Sequence, residues 1–323
     1  MTETIQVSAP GRVNLIGDHT DYTGGLVMPM TIDASTSVVG QANTSHVWNL
    51  LSHDEPISLS IELPLQDPSS VLPRWGRYVA GVLCELGQLG IEVPGFTGEI
   101  STTIPIGSGL SSSAALEIAI ARTALAISQV ELADSEIARL CQRAEHIASG
   151  VPCGIMDQLC IAVGQPNTAT LIDCHTLEVQ HLAMPDEIEV VTRFISHRTL
   201  VGSEYSDRVA DCRDIEKLIG PLRLALMSDA KNITDQRLSR RARHVITENQ
   251  RVRDFASALS QKDFRTAGEL MVASHASLAN DYETSNEEMD QAVKTMISEP
   301  GILGARMTGG GFGGCIVGIR HRS

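Results

Sequence analysis

The stretch "MTGGGFGG", Met307 to Gly314, places five glycines within six residues between two apolar runs. Glycine at that density loses much conformational entropy on folding. It belongs where another backbone or a ligand comes very close, a tight bend between strands being the alternative. A second glycine segment, "PIGSGLSSSAALEIA" from Pro105 to Ala119, joins strand character to a helix that is apolar nearly all round. Such a helix has to be buried.

In that second segment Gly107 and Gly109 leave the backbone bare. Ser111, Ser112 and Ser113 follow in the first helical turn, where N–H groups lack intrahelical partners and the helix dipole is positive. Phosphate suits such a place, and hydroxyls there reach a magnesium ion, which prefers oxygen. A serine-capped helix after a glycine turn is the alternative. The Walker pattern GxxxxGK[ST] and the spacing GxGxxG are both absent, so an ordinary P-loop ATPase and an NAD enzyme lose ground.

Two further groupings carry chemistry. In "AEHIASGVPCGIMDQ", Glu145 ends one helix, and Asp157 follows the break among Ile155, Met156, Leu159 and Ile161. A carboxylate in such company is costly unless paired or working; with an arginine partner it could stay ionised and meet a hydroxyl proton. An acid at a helix N-terminus is the bland option. In "GRVNLIGDHTDYTGG", Asp18, His19 and Asp21 lie within four residues, Gly24 and Gly25 close the turn, and Arg12 stands six residues earlier. An uncharged polyol needs several fixed donors and acceptors at once, and Arg12 suits a carboxylate or a phosphate. Singly, Arg12 also reads as a surface ion pair and His19 as a satisfied core histidine. Jointly, a polyol-holding turn and two anion-ready loops suggest phosphoryl transfer from a nucleotide to a sugar.

Bulk properties set bounds. At 323 residues, two lobes are expected rather than one core, with a boundary near residue 185 (1–185 and 186–323). Net charge is −14 and aromatics are 3 %, which speaks against nucleic acid as a partner. The seven cysteines show no CxxC pair, which fits free thiols of the cytoplasm. No signal peptide or membrane-length apolar run is seen, so a cytoplasmic protein off the membrane is expected.

Along the chain, "IQVSAPGRVNLIG" reads as two short strands around a Pro-Gly corner, and "GLVMPMTID" and "STSVVGQA" as further strands. "RWGRYVAGVLCELGQLG" has helical spacing and ends at Gly90. "DSEIARLCQRAEHIAS" is a helix capped by Asp134 or Ser135. "TATLIDCHTLEVQHLAM" alternates like a hairpin. "RLSRRARHVITENQRVRDFASAL" reads as a helix whose arginines form a solvated face, a phosphate patch being the alternative.

These motifs resemble the GHMP kinases and, among them, the galactokinases. "APGRVNLIGDHTDYTGGLVMP" is similar to the galactokinase signature and "PIGSGLSSSAALE" to the family's phosphate loop; "CGIMDQ", "LIDC", "GSEYSDR" and "GARMTGGGFGGC" also resemble galactokinase segments, in the family's order from residue 8 to 318. The resemblance implies the two-lobed α+β GHMP fold, with a lobe like ribosomal S5 domain 2 and a ferredoxin-like C-terminal lobe. It implies an ATP- and Mg2+-dependent kinase acting on the anomeric hydroxyl of galactose or a galactose-like sugar. ATP would lie on Gly107, Ser108, Gly109, Leu110, Ser111, Ser112 and Ser113, with Trp75 and Tyr78 in the segment flanking adenine. Ser113 and Glu145 would hold magnesium. Asp157 would act on the anomeric hydroxyl and Arg12 would keep it ionised and stabilise charge in transfer. Asp18, His19, Thr20, Asp21, Gly154 and Tyr205 would bind the sugar.

Two departures stand out. Galactokinases carry glutamate where this chain has Asp18; aspartate withdraws the carboxylate by roughly 1.5 Å. That leaves open a sugar with a longer or modified C6 arm as an alternative substrate. The chain also stops after "CIVGIRHRS", where galactokinases continue, so a sheet edge would be covered by a partner subunit in a homo-oligomer or be rearranged. Rival readings are a non-catalytic sugar sensor, disfavoured because "LSSSAA", Asp157 and Arg12 are whole, and a mevalonate or homoserine kinase, disfavoured by "DHTDY".

Overall fold

The computed structural model describes residues 3–197 and 204–322. The chain forms two compact units that interleave along the sequence. The first is built on Ile32–Ile106 and Ser111–Val163 with the N-terminal segment up to Arg12; the second comprises Val13–Thr31, Gly107–Leu110 and the chain from Gly164 onward.

The strands met first are β1 (Thr4–Ile16), β2 (Leu26–Asn43), β3 (Val47–Ser52), β4 (Leu59–Glu62) and β5 (Gly95–Thr102). The expected Pro-Gly corner is absent: β1 is one strand of 13 residues. Among the described residues it pairs with β2 alone, and such an edge strand is where a proline is tolerated. The two strands expected after it are also one, the 18-residue β2. Its Thr36–Asn43 part pairs antiparallel with β5, which pairs parallel with β3, which pairs antiparallel with β4. Helices α1 (Gly76–Gln88), α2 (Ser112–Ser128), α3 (Asp134–Ser149) and α4 (Met156–Val163) complete the first unit. On α2, Ala114, Ile118, Ala121 and Ala124 are all sealed, as its all-round apolar character demands. The cap of α3 is Ala133, not Asp134 or Ser135: the Glu136 carboxylate accepts the Ala133 N–H at 2.9 Å, one half of a capping box.

In the second unit β6 (Thr168–Asp173) and β7 (Val179–Ala183) form the expected hairpin, and β6 pairs with the start of β2 at Leu26, Val27 and Met30. Next come β8 (Ile188–Ser196), α5 (Tyr205–Ile219), α6 (Met227–Lys231), α7 (Gln236–Ser260), α8 (Phe264–Ser277), α9 (Glu287–Ile297), β9 (Ile302–Met307) and β10 (Gly314–His321). The last two are strands around the glycine loop, as expected, and β10 lies between β8 and β9 in an antiparallel sheet. Its core includes Ile215, Val245, Leu278, Tyr282, Met289, Val293, Met307 and Ile316. The reading of α7 as a solvated basic helix holds for Arg240 and Arg243, which pair with Glu283 and Asp281 at the surface. It fails for the opposite face, where Arg241, His244, Glu248 and Asn249 are buried. Among the described residues no helix is long and apolar enough to cross a membrane.

One contact fixes where β9 lies. Gly268 of α8 and Gly304 of β9 meet backbone to backbone: a Cβ on either would overlap the other segment's carbonyl region. Two residues beyond Gly304, β9 delivers Arg306. Gly304→Ala should therefore destabilise the fold by about 1–3 kcal/mol through overpacking that the backbone cannot relieve by a rotamer change. A lower urea midpoint at unchanged slope is the expected result.

Candidate active site

In the first unit β1 brings Arg12 to the start of α4. Arg12 Nε donates to Asp157 Oδ1 and Nη2 to Oδ2, each at 2.7 Å. Both oxygens are thus forked by one planar cation, the strong geometry for such a pair. Arg12 is sealed, whereas the Asp157 side chain keeps 29 % of its surface exposed. The Ser111 hydroxyl donates to Asp157 Oδ2 at 2.6 Å. Ser111 has φ +65°, a left-handed backbone that turns the chain into α2. The expected partnership of Arg12 with Asp157 is therefore present, and Ser111, expected on a phosphate, also touches the acid. Gly154 is buried in the break just before α4.

Beside them lies a buried acid pair. Glu145 of α3 is hydrogen-bonded to the Ser113 hydroxyl and to Glu117 of α2, and burial pushes its pKa up to about 7, with the Asp157 charge adding to the rise. Glu117 is raised too, by burial first and then by Glu145. Its Oε2 accepts from Gln158 Nε2 at 3.1 Å, while its buried Oε1 has no hydrogen-bond partner. Burial, then Glu145 and Glu117, raise the Tyr78 phenol as well. Trp75, just before α1, donates through Nε1 to Ile57 O at 3.3 Å. Glu117 was missed from sequence, although it closes the "SSSAALE" motif.

In the second unit Gly107 and Gly109 have φ +73° and +81°, and the Leu110 N–H meets Ser108 Oγ at 3.3 Å. The opening turn, residues 17–25, is tightly folded: Gly25 N–H and Thr23 N–H both bond Thr20 O, and Asp21–Thr23 form a short 3-10 helix. The Thr20 hydroxyl lies 2.9 Å from Gly17 O and 2.7 Å from Leu26 O, so this expected sugar ligand serves the turn itself.

Asp18 is 1 % exposed. Its carboxylate accepts from Asn14 Nδ2 at 2.7 Å, Arg306 Nη2 at 2.5 Å and Gly309 N–H at 3.2 Å. Gly309 opens the second glycine loop, where Gly309, Gly311, Phe312, Gly313 and Gly314 all have positive φ. The loop's density of glycine thus answers to backbone conformation and to close approach, since a Cβ on Gly311 would strike Thr284 O. Arg306 went unassigned from sequence, though it stands in "GARMTGG".

His19, with φ +65°, sits in an aromatic box, its ring centroid 5.4 Å from that of Tyr205 and 4.8 Å from that of Tyr282. Its Nδ1 is 2.9 Å from Tyr22 Oη, which is 2.7 Å from Tyr282 Oη, which is 3.1 Å from Cys212 Sγ. Tyr282 ends a π-helical turn, Leu278–Tyr282, an irregularity frequent at functional sites. Tyr205 is placed by the start of α5; of "GSEYSDR", Gly202 and Ser203 lie outside the described residues.

The architecture and these groupings place the chain among the GHMP kinases. The family profile described as GHMP kinases N terminal domain matches residues 77–165 and GHMP kinases C terminal matches 255–322. The galactokinase galactose-binding signature matches residues 2–42. A galactokinase of Bos taurus is 40 % identical over 334 residues, covering 99 % of this chain and 84 % of that protein. One of Chloroflexus aurantiacus is 39 % identical, covering 96 % and 82 %. A crystal structure of Lactococcus lactis galactokinase complexed with galactose is 33 % identical, with a TM-score of 0.93 over 99 % of this chain and 86 % of that one. The chain belongs to the galactokinase family and is an ATP-dependent sugar kinase.

Buried histidines behind the turn give a pH dependence with a definite sign. Burial lowers the pKa of His244 to about 4, and that of His275 likewise to about 4. The unfolded chain takes up these protons near pH 6.5 and the folded one does not. Stability is then complete above pH 6.5 and falls as pH drops from 6.5 to 4, by up to about 3 kcal/mol for His244. Melting temperature against pH should fall across that window, and less steeply for His244→Gln.

Proposed function

We propose that this enzyme transfers the γ-phosphoryl group of ATP to the anomeric oxygen of galactose. The observation that carries the reading is the Asp157 carboxylate, forked by Arg12, bonded by Ser111 and still partly open to solvent. A partly exposed acid held by one cation and one hydroxyl is oriented to take or steer a hydroxyl proton. Arg12 then also counters the charge that builds up during transfer.

The remaining roles follow from the same family reading. The bare backbone at Gly107–Leu110 and the first turn of α2 at Ser111–Ser113 receive the nucleotide phosphates. Trp75 stands by the adenine. His19, Asp21 and Tyr205, with Gly154, address the sugar. The galactose named in the Lactococcus lactis structure and the matched galactose-binding signature support this substrate. So does Asp18, whose carboxylate is bonded within the protein by Asn14, Arg306 and Gly309.

Magnesium fits the residues present. The donors at hand are hard oxygens, the Ser113 hydroxyl and the Glu145 carboxylate, beside a Glu117 oxygen that no hydrogen bond satisfies. Ser113 and Glu145 would hold the ion, and when bound it would neutralise phosphate charge. The two matched GHMP profiles fall one in each of 1–185 and 186–323, which supports that division into N- and C-terminal domains. Seven free cysteines support a reducing, cytoplasmic setting.

Phosphate release from ATP across a sugar panel, with product NMR locating the phosphate on the anomeric carbon, tests the reading. Asp157→Ala should lower kcat by roughly 10²–10⁴-fold with galactose binding retained. Turnover at the parental rate, or no response to any sugar, would refute the proposal.

A further inference from the structure

The side chains of the opening turn face its ligand in the reading above, but its backbone also needs partners, and three of them come from one helix. Glu248 Oε1 accepts the Gly17 N–H at 3.0 Å. His244 Nε2 lies 3.1 Å from Asp18 O. Asn249 Oδ1 accepts the Leu26 N–H at 2.7 Å. On α7, His244 and Glu248 stand at i and i+4 on one face, and Asn249 is the next residue round the helix. They meet the turn where it begins, one residue later, and where it leaves into β2.

Each contact is fixed from behind. A carbonyl can only accept, so His244 Nε2 carries the hydrogen and Nδ1, 2.9 Å from Ser277 Oγ, accepts from that hydroxyl. Asn249 Nδ2 donates to Val245 O at 2.9 Å, which sets the amide orientation. Glu248 also accepts from Ser274 Oγ at 2.5 Å and from Arg251 Nε at 2.6 Å. All three side chains are at most 4 % exposed. The turn's own glycines answer to the same face. A Cβ on Gly17, at φ +96°, would lie 2.8 Å from Val252 Cγ2, and one on Gly25 would lie 2.5 Å from Asn249 Oδ1. The chain is pressed against α7 at both ends of the turn.

We propose that His244, Glu248 and Asn249 are positioning residues for the sugar: by holding the turn's backbone from behind, they set the geometry in which the turn's side chains meet the substrate. The inference rests on the reading that this turn holds the sugar. All three are buried and bond the turn's backbone, so their removal shifts sugar affinity and leaves nucleotide affinity alone.

The test is steady-state kinetics with galactose and ATP varied in turn, alongside melting curves with and without galactose. Asn249→Ala should raise the KM for galactose about tenfold, the equivalent of one lost hydrogen bond, with the KM for ATP within about twofold of the parent. Glu248→Ala should raise it more, because its bonds are charge-assisted, and Glu248→Gln, which keeps an acceptor for Gly17, should restore most of it. Should Glu248→Ala not fold, Asn249→Ala and Glu248→Gln still decide. Sugar and ATP KM values that rise together, or a lowered melting temperature with the sugar KM unmoved, would overturn the positioning role while leaving the kinase reading intact. A parent enzyme that phosphorylates no sugar would overturn both.

Discussion

The ion pair between Asp18 and Arg306 is closed off from water, and the polar machinery of the second unit hangs on it. Removing one partner of such a pair typically costs about 3–5 kcal/mol, because the other charge is left buried alone. Here one carboxylate does more than meet a cation. It also takes the Asn14 amide and the Gly309 N–H, so the end of β1, the opening turn and the glycine loop share a single joint. The glycines of that loop allow the backbone to come within reach, and the close seating of α8 on Gly304 sets where β9 presents Arg306.

The first unit handles its acids in two opposite ways. Asp157 is matched to Arg12, a bidentate cation on an extended strand. Glu117 and Glu145 face each other in a buried place with Ser113 and Gln158 for company; burial makes both harder to ionise, and Glu145 adds to the rise at Glu117. Two like groups so close titrate as a pair rather than singly.

Much of this was legible in the chain itself. Ser113 and Asp157 are legible as residues of helix starts that follow glycine-bearing breaks, Arg12 as a cation ahead of a polar turn, and Glu145 through the resemblance of the motifs to a family. The hairpin of β6 and β7 and the two strands around the last glycine loop were legible because they follow local rules. Strand continuity was not: Pro10 looks like a corner until it is known that β1 pairs on one side only. Neither was the polar face of α7. Arginines dominate its composition, whereas the decisive residues are His244, Glu248 and Asn249, polar groups beside Val245 and Val252 whose partners lie more than two hundred residues away in sequence. Asp18 is a middle case. Its place in the motif marked it as important, but only tertiary structure reveals that its carboxylate faces a cation inside the protein.

The chain of groups from His19 through Tyr22 and Tyr282 to Cys212 has one property that a list of contacts hides. Every hydroxyl in it has a single hydrogen to give, so when each gives it within the row the donors all point one way or all point the other. Reversing one link forces its neighbours to follow, and the imidazole at the end changes from receiving a hydrogen at Nδ1 to offering one. The row therefore has two consistent directions of donation, which tie the tautomer of a histidine at the turn to a thiol in the core.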